Sequence, residues 1–101
     1  MRMLMTITFP TEEFNTAVRD GTVGQKISNI LEATKPEAVY FLERNGERTG
    51  ILVADLAEPS KIPALAEPWF LNFNARVEFH PTMTPQDLQK ANLDALSKKW
   101  A

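Results

Sequence analysis

The sequence predicts an α+β domain. Four strands form one antiparallel sheet in the element order βαββαβ, with an interrupted first helix and an extra C-terminal helix. Three observations carry that reading. Apolar residues recur at every second position near the start and again over 75–80, the period of a half-buried strand. Asn45-Gly46 separates two β-prone runs, a strong short-range signal for a two-residue hairpin turn. Elsewhere the apolar residues fall three and four apart, the spacing of an amphipathic helix.

The first strand follows from Met3, Met5, Ile7 and Phe9 alternating with Leu4, Thr6 and Thr8. Pro10 stops it. Thr11 can cap a helix, and Glu12 and Glu13 in its first turn favour the helix dipole. Phe14, Ala17 and Val18 form its apolar stripe. Gly21 breaks this helix, and Thr22 with Gln25 has capping-box spacing for a second segment bearing Val23, Ile27, Ile30 and Leu31. Pro36 ends that segment.

The hairpin fixes its own register. Counting back from Asn45-Gly46 sets Arg44 against Glu47, Glu43 against Arg48, Leu42 against Thr49, Phe41 against Gly50, Tyr40 against Ile51 and Val39 against Leu52. Two opposite-charge pairs beside the turn support this pairing. Phe41 is set to cover the bare backbone of Gly50. Next, Ser60 can cap a short helix with Pro63 in its first turn, and Pro68 predicts a kink or a second turn through Trp69 and Leu71. The strand "ARVEFH" follows. Thr84-Pro85-Gln86-Asp87 starts the last helix, and Leu88, Ala91, Ala95 and Leu96 continue it as one piece.

The 101 residues suit one domain, 1–101, able to bury roughly two-thirds of its unfolded surface. A net charge of −2 argues against duplex nucleic acid, whose phosphates call for an excess of Lys and Arg. No cysteine is present, so disulfides, thiol catalysis and thiolate metal sites are excluded, and a reducing, cytoplasmic setting is expected. No apolar run approaches the roughly 20 residues that span a bilayer, so no membrane role is expected. "MRMLMTITF" reads as a strand rather than a signal peptide, because threonines interrupt its apolar run.

In a split βαβ arrangement, right-handed crossovers put the first and third strands in the centre and both helices on one face. The other face is then bare. Yet the hairpin strands are apolar on both sides: Gly50, Leu52 and Ala54 against Ile51 and Val53, and Val39 and Phe41 against Tyr40 and Leu42. Both faces want cover. The second cover must come from the last helix or from another subunit.

Element order and length resemble the dimeric α/β-barrel superfamily of ferredoxin-like proteins. "KPEAVYF", "AEPWFLNFNARVEFHP" and "MTPQDL" are similar to stretches of small, uncharacterised bacterial proteins. The resemblance covers nearly the whole chain and implies two sheets packed face to face around a cavity, hence a homodimer through the open sheet face. The superfamily holds monooxygenases, isomerases, decomposing enzymes and plain ligand binders. It therefore implies fold more narrowly than function.

Val77 and Phe79 are expected under the helices. Arg76, Glu78 and His80 are expected on the other face beside Thr6 and Thr8, giving a mainly apolar surface with a few polar groups, as suits a small-molecule cavity. His80, the single histidine, is the candidate for proton transfer, since imidazole exchanges protons near neutrality. The bland reading is a strand-end histidine in water, next to edge charges that discourage aggregation. Tyr40 can bind a ligand oxygen or simply pack with its hydroxyl wet. Trp69 and Phe70 can line a pocket entrance or serve as core or dimer contacts. Trp100 can clasp a second subunit or fray. Asp55 can act as a base or open a turn, and Glu43 with Arg48 is explained by the hairpin alone. With one His, no Cys and no Ca²⁺-loop spacing, no metal and no cofactor is expected.

Two functional expectations follow. The first is a homodimer holding a small, largely apolar molecule, with cofactor-free oxygenase or isomerase chemistry as its enzymatic form. The second is a non-enzymatic structural or ligand-sensing dimer module.

Overall fold

Strand β1 (Arg2–Thr8) forms the middle of the sheet, because its alternate residues Met3, Met5 and Ile7 all enter the core. The computed structural model describes residues 1–101. After β1 come helices α1 (Thr11–Arg19) and α2 (Val23–Thr34), the hairpin β2 (Ala38–Arg44) and β3 (Glu47–Asp55), and a 3₁₀ turn at Pro59–Lys61. Helix α3 (Ile62–Phe73), strand β4 (Arg76–Pro81) and the short helices α4 (Pro85–Lys90) and α5 (Leu93–Lys99) complete the chain. The class is α+β with a four-stranded antiparallel sheet. The strand order is β2-β3-β1-β4, so β1 and β3 are central, as expected.

The hairpin follows the predicted register at every pair from Val39–Leu52 to Arg44–Glu47. Asn45 and Gly46 both adopt positive φ, 54° and 79°, the backbone that lets a two-residue loop match the twist of its strands. The charge pairs beside the turn stand opposite each other without forming ion pairs. Glu43 instead accepts the Gly46 N–H, and Arg48 donates to Asn15 on α1 at 2.8 Å. The guanidinium of Arg48 also lies 4.5 Å from the centre of the Phe14 ring. It joins the hairpin to α1 rather than one strand to the other.

The break between α1 and α2 falls at Gly21, whose φ is +80°. Asp20 organises it. The Thr22 hydroxyl and backbone N–H both donate to one Asp20 oxygen, at 2.6 and 2.9 Å, and these bonds hold the carboxyl below its ordinary range. The expected Thr22–Gln25 capping box is absent from α2: Thr22 has helical φ and ψ, its hydroxyl is already spent on Asp20, and Gln25 donates to Asn29.

One core joins the helices to a single sheet face. Met3, Met5, Ile7, Leu52 and Ala54 meet Ala17 of α1, Ile30 of α2 and Leu65, Trp69 and Phe73 of α3. Phe9, Phe14, Trp69 and Phe73 form an aromatic group with ring centres 5.0 to 6.3 Å apart, mostly edge to face. Helix α3 runs through Pro68 as one element instead of ending there. The core contacts on both sides of the proline outweigh the roughly 3 kcal/mol an interior proline costs. Ala64, four residues before the proline, has the carbonyl that loses its partner; it is exposed, so water can satisfy it. Ser60 bonds Glu58 and does not cap α3.

The extra C-terminal helix is two pieces. Thr84 and Asp87 cap each other reciprocally to begin α4, as the spacing indicates, but Asn92 turns into the left-handed region at φ 54° and starts α5. Every residue from Pro85 onward is exposed. This arm leaves the second sheet face of its own chain uncovered. The radius of gyration, 17.0 Å, exceeds the roughly 13 Å of a compact chain this long.

Candidate functional site

The uncovered face of the sheet is a grid set by register. Arg76, Glu78 and His80 of β4 pair with Thr8, Thr6 and Leu4 of β1. Those pair in turn with Thr49, Ile51 and Val53 of β3, which stand against Leu42, Tyr40 and Ala38 of β2. Since side chains alternate between faces, all twelve share the face opposite Met3, Met5 and Ile7. Val77 and Phe79 pack on the helix side against the core, as expected.

The face has a polar margin and an apolar field. Arg76, Glu78 and His80 lie along the β4 edge, where Arg76 and His80 are exposed and Glu78 is also open to solvent. Beside them Thr6 is buried and Thr8 half-buried between the larger neighbouring side chains. Leu4, Ile51 and Val53 are half-buried in the middle. Tyr40 and Leu42 stand 69% and 44% exposed along the β2 edge. Among the apolar side chains of this face, Tyr40 and Leu42 are thus the ones most open to solvent.

Within the polar margin, Arg76 reaches diagonally to Glu47 with a 3.8 Å separation between opposite charges, both side chains exposed. The side chains of Glu78, His80 and Tyr40 make no hydrogen bond within the chain, so their polar atoms are free for a guest or for water. Same-face residues two apart on a strand lie about 7 Å from each other, so Glu78 is within one small molecule's reach of both Arg76 and His80. Tyr40 sits three strand spacings from Glu78, roughly 14 Å, and can meet only the far end of such a molecule.

Trp69 is not part of this face. It is fully enclosed in the core on the helix side, against Phe9 and Phe73, and its Nε1 has no hydrogen-bond partner. It lies on the buried side of α3 with Leu65, Ala66 and Phe73, not at a pocket entrance. Asp55 is engaged by the amino group of Met1 at 3.1 Å.

Sequence reasoning left out a second concavity. Phe9, Phe14, Ile27, Phe41, Leu42, Arg48 and Thr49 line an open, largely apolar recess of about 220 Å³ where the hairpin meets α1 and α2. The signal was the register itself, which sets Phe41 beyond the end of the helical cover. Two more open grooves lie at the α4–α5 elbow and between α2 and α3. None of the three contains His80. No three His, Cys, Asp or Glu side chains converge as a metal site would need. No helix is long and apolar enough to cross a membrane. The sequence matches no protein-family model, and no curated protein matches it significantly.

Proposed function

We propose that two copies pair through their open sheet faces and hold a small, largely apolar molecule between them. One observation carries the reading: Arg76, Glu78 and His80 share, with Thr6 and Thr8, a face that no helix covers and whose remaining positions are mainly apolar. In that chamber the apolar field supplies affinity, and the polar margin supplies orientation. Arg76 attracts an anionic or carbonyl oxygen, Thr6 and Thr8 bond neutral oxygens, and Tyr40 meets the far end of the guest. The pairing fits the ferredoxin-like, dimeric α/β-barrel resemblance, which the central position of β1 and β3 supports.

If the guest is turned over, His80 is the acid or base, since it is the one imidazole on this face. Cofactor-free oxygenation or isomerisation is the reaction class the resemblance carries. A second reading, a non-enzymatic structural or ligand-sensing dimer, is favoured by one fact: His80 borders no concavity of the single chain and has no side-chain partner to orient it.

The test is calorimetric titration with 8-anilinonaphthalene-1-sulfonate, an apolar anion. Saturable binding is expected, weakened several-fold by Arg76→Ala and abolished by Ile51→Asp. Binding indifferent to Ile51→Asp sinks the chamber. Should the wild type bind while His80→Ala leaves both affinity and all attempted turnover untouched, the non-enzymatic reading stands.

A further inference from the structure

We infer that the recess between the hairpin and helices α1 and α2 binds a small aromatic monocarboxylate, its ring among Phe9, Phe14, Ile27 and Phe41 and its carboxylate on Arg48. The recess lies on the helix side of the sheet. Phe41 and Arg48 share the face of Leu52, which enters the core. The site is therefore apart from the open face, and it stands whether or not two copies pair.

Arg48 is held in place but not used up. Its Nη1 donates to the Asn15 side chain at 2.8 Å, and its guanidinium lies 4.5 Å from the centre of the Phe14 ring. A guanidinium has five N–H donors, and this is the one hydrogen bond that the Arg48 side chain makes within the chain. The edge formed by Nε and Nη2 is left free, and that edge can meet a carboxylate with two parallel bonds. Its charge is also unspent. Arg48 forms no ion pair, and Glu43 across the hairpin accepts the Gly46 N–H instead. No acidic side chain lines the recess. An anion thus meets a cation that is already oriented, so little freedom is lost on binding.

The apolar part of the recess sets the rest of the ligand. Phe9 is buried, Phe14 and Ile27 are half-buried on the helices, and Phe41 stands 50% exposed on the outer side. Three aromatic rings around one space favour an aromatic guest, which can meet them edge to face. Volume limits its size. An apolar cavity of about 150 Å³ accepts benzene. The 220 Å³ here has room for such a ring and a short acidic tail. It falls below the roughly 300 Å³ at which drug-sized ligands begin.

The test is a titration of the ¹⁵N-labelled full chain, followed by NMR, with 3-phenylpropionate and with the neutral 3-phenylpropanol. Saturable shifts are expected at the amides of Phe14, Ile27, Phe41 and Arg48 and at the Arg48 Nε–H. The alcohol should bind roughly tenfold more weakly, because it forfeits the charge-assisted bonds. Arg48→Gln should bring the acid down to the level of the alcohol and leave the alcohol unchanged. Three results overturn the site: no saturable shifts, equal affinity for acid and alcohol, or shifts centred on Glu78 and His80, which would put the acid on the open face. Should Arg48→Gln fail to fold, the comparison of acid with alcohol on the wild-type chain decides alone.

Discussion

The ring of Phe41 lies over Gly50, its Cε1 3.3 Å from where a Cβ on Gly50 would sit. Gly50 is not in the left-handed region, so this glycine is there for room rather than for backbone freedom. The ring covers a stretch of β3 backbone and, being half-exposed at the β2 edge, has space to yield a little. Gly50→Ala should therefore shift stability by less than about 1 kcal/mol, whereas Gly50→Val should expel the ring and cost about 1–3 kcal/mol. Urea titration of both variants checks this, and equal losses would contradict it.

Trp69 separates packing from hydrogen bonding. Its indole fills the centre of the core, yet its N–H is unsatisfied. Trp69→Ala should cost about 3–5 kcal/mol through the cavity it leaves. Trp69→Phe loses part of the volume but also removes a stranded donor, worth about 1–3 kcal/mol, so it should cost under about 2 kcal/mol. Thermal or urea unfolding of the two variants measures the difference.

Arg48 should couple to the helix and not to its cross-strand neighbour. A double-mutant cycle for Arg48→Ala with Phe14→Leu is expected to return about 0.5–1 kcal/mol, from the ring contact and the shared stem packing. The cycle for Arg48→Ala with Glu43→Gln should return nearly nothing, because no ion pair joins them. Reversed values would place the guanidinium back on Glu43.

The α4 cap should open in acid. Hydrogen bonds from the Thr84 backbone N–H, together with the Thr84 side chain, hold the Asp87 carboxyl below its ordinary value near 3.8. A depressed carboxyl stabilises above its unfolded value and stops doing so as pH falls through the folded one. The arm should thus keep its cap at neutral pH and lose it below about pH 4. Asp20 in the α1–α2 break has the same sign for the same reason, its bonds from Thr22. Amide exchange at Thr84 followed down the pH scale checks the first case. Asp87→Asn should flatten that profile; an unchanged profile would refute it.

Legibility in the sequence varied with how local the cause was. The hairpin register and the first-helix break follow from Asn45-Gly46 and Gly21, whose backbone demands are settled within a few residues. The placing of Arg76, Glu78 and His80 on one face beside Thr8 and Thr6 was readable too, since period two fixes a face once the strands are ordered. What failed depended on competition at a distance. Pro68 breaks a helix in isolation, but Leu65, Ala66, Trp69 and Phe73 all bury on one side and keep α3 whole. Charges facing across a turn pair in the abstract, but Arg48 found an aromatic ring and Asn15 on another element. Asn92 looked like an ordinary helical residue, because nothing in its neighbours reveals that its side chain will bond Ala95 and restart the helix.

The two tryptophans occupy opposite surroundings, Trp69 sealed among phenylalanines and Trp100 at the open end of the arm. Their emission should differ accordingly: blue and indifferent to iodide from the first, red and readily quenched from the second. The molecule thus carries separate optical labels for its interior and for its arm. Melting of the core and changes around the arm can then be watched independently in one unlabelled sample.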